Sequence, residues 1–224
     1  MTQNNGTLLQ VNRTEAGYDG TVNLTLGAGS TSTGDVIDLD GLVKGGADTR
    51  SQGGKTNFTV ATGASWTGMV KGINDTTAGN GASIVDTGGA PIAGNVTSGI
   101  NSTITFTNGA QIGGGVSTET GTRGSFSGNT SIGGNVISTG STLVFNGPTT
   151  ISQSLSTQGS SVNFGNTTTI TQGVSSGTGS TVAFNGAANI GQSVTGGSGS
   201  SVTFAGPTTI GQNLSGSGTN FRFS

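Results

Sequence analysis

The chain has no histidine and no cysteine. Without histidine there is no Ser-His-Asp or Cys-His relay to activate a nucleophile. Without cysteine there are no disulfides, thiolate zinc sites or thiol nucleophiles. Charge is scarce as well: 7 basic and 9 acidic residues in 224, a net −2. That leaves no basic footprint for nucleic acid. Leu, Ile, Val and Phe together number 47 of 224, too few for one thick globular core. No apolar run approaches the roughly 18 residues of a membrane-spanning helix.

What fills the chain instead is Gly (45), Thr (39), Ser (28) and Asn (19), together 131 of 224 residues. These are poor helix formers, so a helical protein is excluded. Disorder in polar chains usually comes with high net charge, which is missing here. The deciding question is whether the apolar residues recur.

They do. Phenylalanine stands at Phe106, Phe126, Phe145, Phe164, Phe184, Phe204 and Phe223. An isoleucine follows each of the first six by six residues: Ile112, Ile132, Ile151, Ile170, Ile190 and Ile210. A Val or Leu follows each of these by four: Val116, Val136, Leu155, Val174, Val194 and Leu214. A further apolar residue precedes the Phe by two, at Ile104, Leu143, Val162, Val182, Val202 and Phe221, with Gly124 as the one break. The repeat length is 19 or 20, and the extra residue always falls in the Gly/Ser segment. A segment that absorbs length changes is a loop.

The V-x-F pair has period two, so both residues lie on one face of a short strand. The Asn-Gly or Gly-Pro that follows is turn chemistry. The T-x-I pair is a second strand, and the Val/Leu region a third. This predicts an all-β, three-sided parallel β-solenoid with about 19–20 residues per rung, stacked about 4.7–4.9 Å apart. Its interior should hold a Phe stack, an Ile stack and two Val/Leu stacks. Four apolar side chains do not offset the ordering of a whole rung, so rungs should need their neighbours to fold.

Upstream the pattern loosens. Val60, Trp66 and Val70 keep the six-then-four spacing, and Ile92 and Val96 keep the four. Between these copies Lys71 to Ser83 reads as an extended loop. Residues 1–54 read as irregular N-terminal rungs or a cap, and residues 55–224 as the regular solenoid. The end, Thr219 to Ser224, is the first strand of another rung, so the expectation is a solenoid truncated at its C-terminal end. Met1 to Asn5 lacks the basic and apolar regions of a signal peptide. That leaves a removed signal with an added start, or no export by that route.

Gly/Ser/Thr/Asn-rich rungs of this length, the lack of cysteine and the segment Gly63-Ala64-Ser65-Trp66-Thr67-Gly68 resemble the passenger domains of bacterial autotransporters, the type V secretion family. The likeness covers about residues 55–223. It implies a right-handed β-helix, export through the outer membrane, and display on the bacterial surface or release. Many such passengers are adhesins or virulence factors, or self-associate; others carry an enzyme domain on the stalk. The resemblance implies a membrane link only through a C-terminal translocator absent from this chain.

Candidate sites are few. Asp35, Asp38 and Asp40 are the one acidic cluster. Their spacing matches neither an EF-hand nor a calcium-binding β-roll, and a solvated strand edge is the simpler reading. A polysaccharide lyase or hydrolase needs paired carboxylates or a carboxylate with a base. Residues 98–221, the most regular rungs, hold one acid, Glu119, and one arginine, Arg123. No catalytic residue, cofactor or metal is therefore expected. Gln153, Gln172, Gln192 and Gln212 align in four successive rungs and predict a structural amide ladder. An ice-binding face would need regular Thr-x-Thr arrays, which the first strands lack. The best functional surface is the outward column before each Ile: Gln111, Ser131, Thr150, Thr169, Asn189 and Thr209. Uncharged hydrogen-bonding groups on a flat face suit self-association or a host-surface glycan. The expected function is adhesive, with an inert stalk presenting a domain elsewhere as the alternative, and a polysaccharide-binding or -degrading β-helix behind both.

Overall fold

A computed structural model of the chain describes residues 7–11, 21–38, 55–68, 70–71, 75–89 and 91–224. The described residues contain strands and turns and no helix. All strand pairings are parallel, and they form two sheets of 10 strands, one of 7 and a short one of 3. The fold is a three-sided parallel β-solenoid of about eight turns.

One rung shows how the sequence makes the shape. Thr142–Phe145, Thr149–Ile151 and Leu155–Gln158 are its three strands. Leu143, Phe145, Ile151 and Leu155 are all fully buried. Each strand alternates buried and outward-facing positions, as a period of two requires. Strand and strand meet at corners, and the sharpest conformational demand comes between the third strand and the next rung. There a column of residues adopts positive φ: Gly81, Asn101, Gly121, Gly140, Gly159, Gly179, Gly199 and Gly218. Among the described residues Asn101 (φ 57°) is the one non-glycine with positive φ. Asparagine is a side chain that tolerates this region.

Register is maintained column by column. Phe126 pairs with Phe145, Ile132 with Ile151 and Val136 with Leu155. The rings from Phe106 to Phe223 stack 4.6 to 5.1 Å apart and within 18° of parallel. That is the spacing of neighbouring strands, so the backbone repeat itself dictates the ring stack.

The interior also holds columns that are polar. Two residues beyond Val96, Val116, Val136, Leu155 and Val174 a hydroxyl points inward, at Ser98, Thr118, Ser138, Thr157 and Ser176, all buried; Gly196 and Gly216 take this place in the last two rungs. Beside them run Ser102, Thr122, Ser141, Ser160, Ser180 and Ser200, also buried. Together they form a hydroxyl spine at the corner between the third strand and the next rung. Thr118 Oγ1 and Ser141 Oγ lie 2.7 Å apart, Ser98 Oγ donates to Thr122 Oγ1 at 3.2 Å, and Ser160 Oγ donates to the Ser138 carbonyl at 2.7 Å. Mutual bonding removes most of the penalty for burying these groups. A chain this rich in Ser and Thr can therefore have an ordered interior.

The first described rungs depart from the expected register. Trp66 pairs with Ser32 and Ile84, on the Phe-bearing side; Val60 pairs with Leu26 and Ala78, on the Val/Leu side; Val70 pairs with Val36. The six-then-four spacing of Val60, Trp66 and Val70 is thus not a copy of the Phe–Ile–Val pattern. Rung length explains the error. From Leu26 to Val60 one rung advances 34 residues, and from Val60 to Ala78 only 18, before settling at 20 from Ala78 to Ser98. Phe58 and Trp66, both buried, pack edge-to-face here, 4.9 Å apart at 71°. Trp66 Nε1 donates to the Gly34 carbonyl at 3.0 Å, which satisfies its buried N–H.

The expected extended loop from Lys71 to Ser83 is also corrected. Asp75–Ala78 is a strand within it, pairing with Lys55–Val60 before and Val96–Ser98 after. Its sequence, DTTA, has too little apolar content to announce a strand; Thr76 and Ala78 are its buried positions.

Candidate interaction face

The Ile-bearing side is a seven-stranded sheet running from Pro91–Ile92 to Thr208–Ile210. Its strands bury the Ile, only partly at Ile210, and turn the preceding residue outward. Gln111 pairs with Ser131, Ser131 with Thr150, Thr150 with Thr169, Thr169 with Asn189 and Asn189 with Thr209. The six predicted residues therefore form one unbroken column at strand spacing. Five are exposed and Thr169 is half-buried. None of the six is charged.

The first outward position of each Phe-bearing strand gives a second column in register, Thr103, Arg123, Thr142, Ser161, Thr181 and Ser201, while the half-buried position two residues on carries Val144 and Ala183 among polar residues. The column from Thr103 to Ser201 is polar throughout, with Arg123 as its single charge. Glu119 accepts the Thr122 backbone N–H at 3.0 Å through its own carbonyl, which places Glu119 in the turn and Arg123 at the start of the strand.

Between the second and third strands the corner has its own bonding rule. Asp75 Oδ1 accepts the Asn95 N–H at 2.7 Å, Asn95 Oδ1 accepts the Gly115 N–H at 2.8 Å, and Asn135 Oδ1 accepts the Ser154 N–H at 3.0 Å. At the corner the backbone N–H points along the stack, and the short side chain of the previous rung supplies the acceptor. The glutamines one residue earlier do align: Gln172 N–H donates to the Gln153 carbonyl at 3.2 Å and Gln192 N–H to the Gln172 carbonyl at 3.0 Å. Their side chains do not form the expected amide ladder. Ser154 Oγ donates to Gln172 Oε1 at 3.1 Å and Ser193 Oγ to Gln212 Oε1 at 3.3 Å. At Gln172 and Gln212 a nearby serine hydroxyl takes the amide oxygen.

Asp75 and Asp86 both accept backbone N–H groups. Asp86 is buried at the position filled by phenylalanine in later rungs, paired in register with Phe106. Its Oδ1 accepts the N–H groups of Gly88 at 2.8 Å and Val70 at 3.3 Å. Asp35 and Asp38 belong to the strand Asp35–Asp38, which pairs with Thr7–Val11 and Val70–Lys71. Asp40 lies outside the described residues. Among the described residues no three acidic side chains converge as metal ligands would.

No protein-family model, no curated protein and no solved structure matches the chain. The class is defined by the fold: this is a parallel β-solenoid repeat protein, with polar outward columns on each side.

Proposed function

We propose that the chain is a non-enzymatic segment of a bacterial autotransporter passenger, displayed on the cell surface or released, that works by adhesion or self-association through its flat polar sides. The observation that carries this reading is the in-register column from Gln111 to Thr209. Its hydroxyls and amides recur at strand spacing and carry no charge, so two such columns can approach without long-range repulsion. Each contact is weak. Many repeated along one rigid axis add up, because after the first contact the others become intramolecular. The composition, rung length and Gly63–Gly68 segment support the passenger assignment. The partner is a second copy of this side or a host-surface glycan.

The second reading is a stalk that presents a functional domain elsewhere, since a polar surface is ordinary in itself. A polysaccharide-degrading role has less support, as Asp75 and Asp86 are engaged in backbone bonding.

Lysine at Thr150, Thr169, Asn189 and Thr209 would line up like charges at strand spacing. Cells displaying this variant are expected to lose aggregation that the parent chain supports. Unchanged aggregation, with the variant shown to be displayed and folded, would remove the Ile-bearing side from the mechanism. Deleting two whole rungs separates the readings: a stalk tolerates it, whereas an adhesive side weakens with its length.

A further inference from the structure

The corner between the second and third strands contains a recess of about 410 Å³. Its origin lies in one column. Two residues after each Ile, the chain carries Gly94, Gly114 and Gly134, and then Gln153, Gln172, Gln192 and Gln212. The backbone of the column is continuous: Gly114 N–H donates to the Gly94 carbonyl at 2.8 Å and Gly134 N–H to the Gly114 carbonyl at 2.7 Å. The recess lies where Gly114 and Gly134 stand in for glutamine, and the first glutamine, Gln153, lines it as well.

Its floor cannot be filled from within the chain. A Cβ on Gly113 would meet the Ala93 carbonyl oxygen at 2.5 Å, and Cβ atoms on Gly114 and Gly133 would overlap backbone oxygens of the preceding rung. The floor's own N–H groups are already bonded between rungs. An extended peptide would find no free sheet edge to pair with, the usual basis of strand addition.

The walls carry uncharged polar groups and one apolar side chain. Ile137 is 47% exposed and sits between Ser117 and Ser156 in an outward column that is otherwise polar. Asn135 commits its Oδ1 to the Ser154 N–H, which orients the amide and leaves Nδ2 to donate. No charged residue lines the recess, so nothing there compensates a phosphate or carboxylate.

We propose that this recess binds a neutral oligosaccharide. Ile137 supplies the apolar contact for the C–H face of a pyranose ring. The amides of Asn135 and Gln153 and the hydroxyls of Thr97 and Ser117 meet the ring hydroxyls. The volume falls in the range of small-ligand sites, with a few fixed polar groups around an apolar contact. The rung spacing of about 4.8 Å is comparable to the length of one sugar unit in a chain, so successive rungs can address successive sugars. The recess is distinct from the Gln111–Thr209 column, so either assignment can fail while the other stands.

The test is calorimetric titration of the chain with soluble gluco-, manno-, xylo- and N-acetylglucosamine oligosaccharides of graded length. Saturable binding by at least one series is expected, strengthening with length until the recess is spanned. Ile137→Ser matches its serine neighbours and should weaken binding about fivefold or more. Ser117→Arg should block entry, while Ser175→Ala, two rungs beyond Ile137, should leave affinity unchanged. Circular dichroism of each variant confirms folding. No saturable binding by any series up to its solubility limit overturns the proposal. So does binding that neither Ile137→Ser nor Ser117→Arg weakens, or preferential binding of an extended peptide.

Discussion

Leu143 occupies the room that Gly124 leaves vacant. The two residues are paired in register on neighbouring rungs, and a Cβ built on Gly124 would lie 2.5 Å from Leu143 Cδ2 and 3.4 Å from Phe126 Cε2. The one gap in an apolar column is therefore filled sideways from the next rung.

This makes Gly124 and Leu143 a coupled pair. Gly124→Val overfills the site and should destabilise by about 1–3 kcal/mol. Leu143→Val alone removes a buried methylene and should cost about 1 kcal/mol. Combined, they should recover part of the loss, with an interaction energy of about 0.5 kcal/mol or more. Urea unfolding of the four proteins of the cycle measures it, and simple additivity would show that the two side chains do not share space.

The inward hydroxyls should split by sign. Thr149, Thr168 and Thr208 each donate to the carbonyl two residues earlier, at 3.1, 3.1 and 2.9 Å. Thr130 occupies the same column, yet its buried Oγ1 has no hydrogen-bond partner. Thr130→Val keeps the shape, removes an unsatisfied group, and should be neutral or stabilising by up to about 1 kcal/mol. Ser160→Ala does the opposite. Its Oγ donates to the Ser138 carbonyl and accepts the Ser141 N–H at 3.3 Å, so its loss should cost about 1–3 kcal/mol. Thermal unfolding of the two variants decides; a destabilised Thr130→Val would contradict this account of the column.

Stability of the later rungs should be indifferent to pH. The slope of unfolding free energy with pH follows the difference in protons bound by the two states. Residues 124–221 contain no Asp, Glu, Lys, Arg, His, Cys or Tyr, so neither state of these rungs binds or releases protons. Amide exchange protection in this stretch, corrected for intrinsic rates, should agree between about pH 5 and pH 8. A change of more than about 1 kcal/mol would mean that opening there is coupled to the charged N-terminal rungs.

The repeating columns were legible because each is a separate, strict spacing. Phe, Ile and Val/Leu recur in fixed relation through six copies, and a parallel stack converts equal spacing into equal position. Where rungs differ in length, equal spacing no longer means equal position. Val60, Trp66 and Val70 imitate the pattern, but the 34- and 18-residue rungs around them shift each to another side of the solenoid. The hydroxyl spine was missed for a different reason. Ser98, Thr118, Ser138, Thr157 and Ser176 stand two residues beyond the Val/Leu column, on the same face by alternation, but a search for apolar residues passes over them. The outward column from Gln111 to Thr209 was readable from its place beside each Ile. The recess was not, although the change from glycine to glutamine after Ile132 and before Gln153 marks it.

By itself the sequence determined the class of fold, the rung length and which residues share a column, because these follow from period and alternation alone. Only the tertiary structure decided which side chains fill the gaps between columns, where buried hydroxyls find partners, and where the surface is hollow. Those outcomes depend on distances between residues about 20 positions apart along the chain, held next to each other by hydrogen bonds between rungs. No local pattern contains such distances.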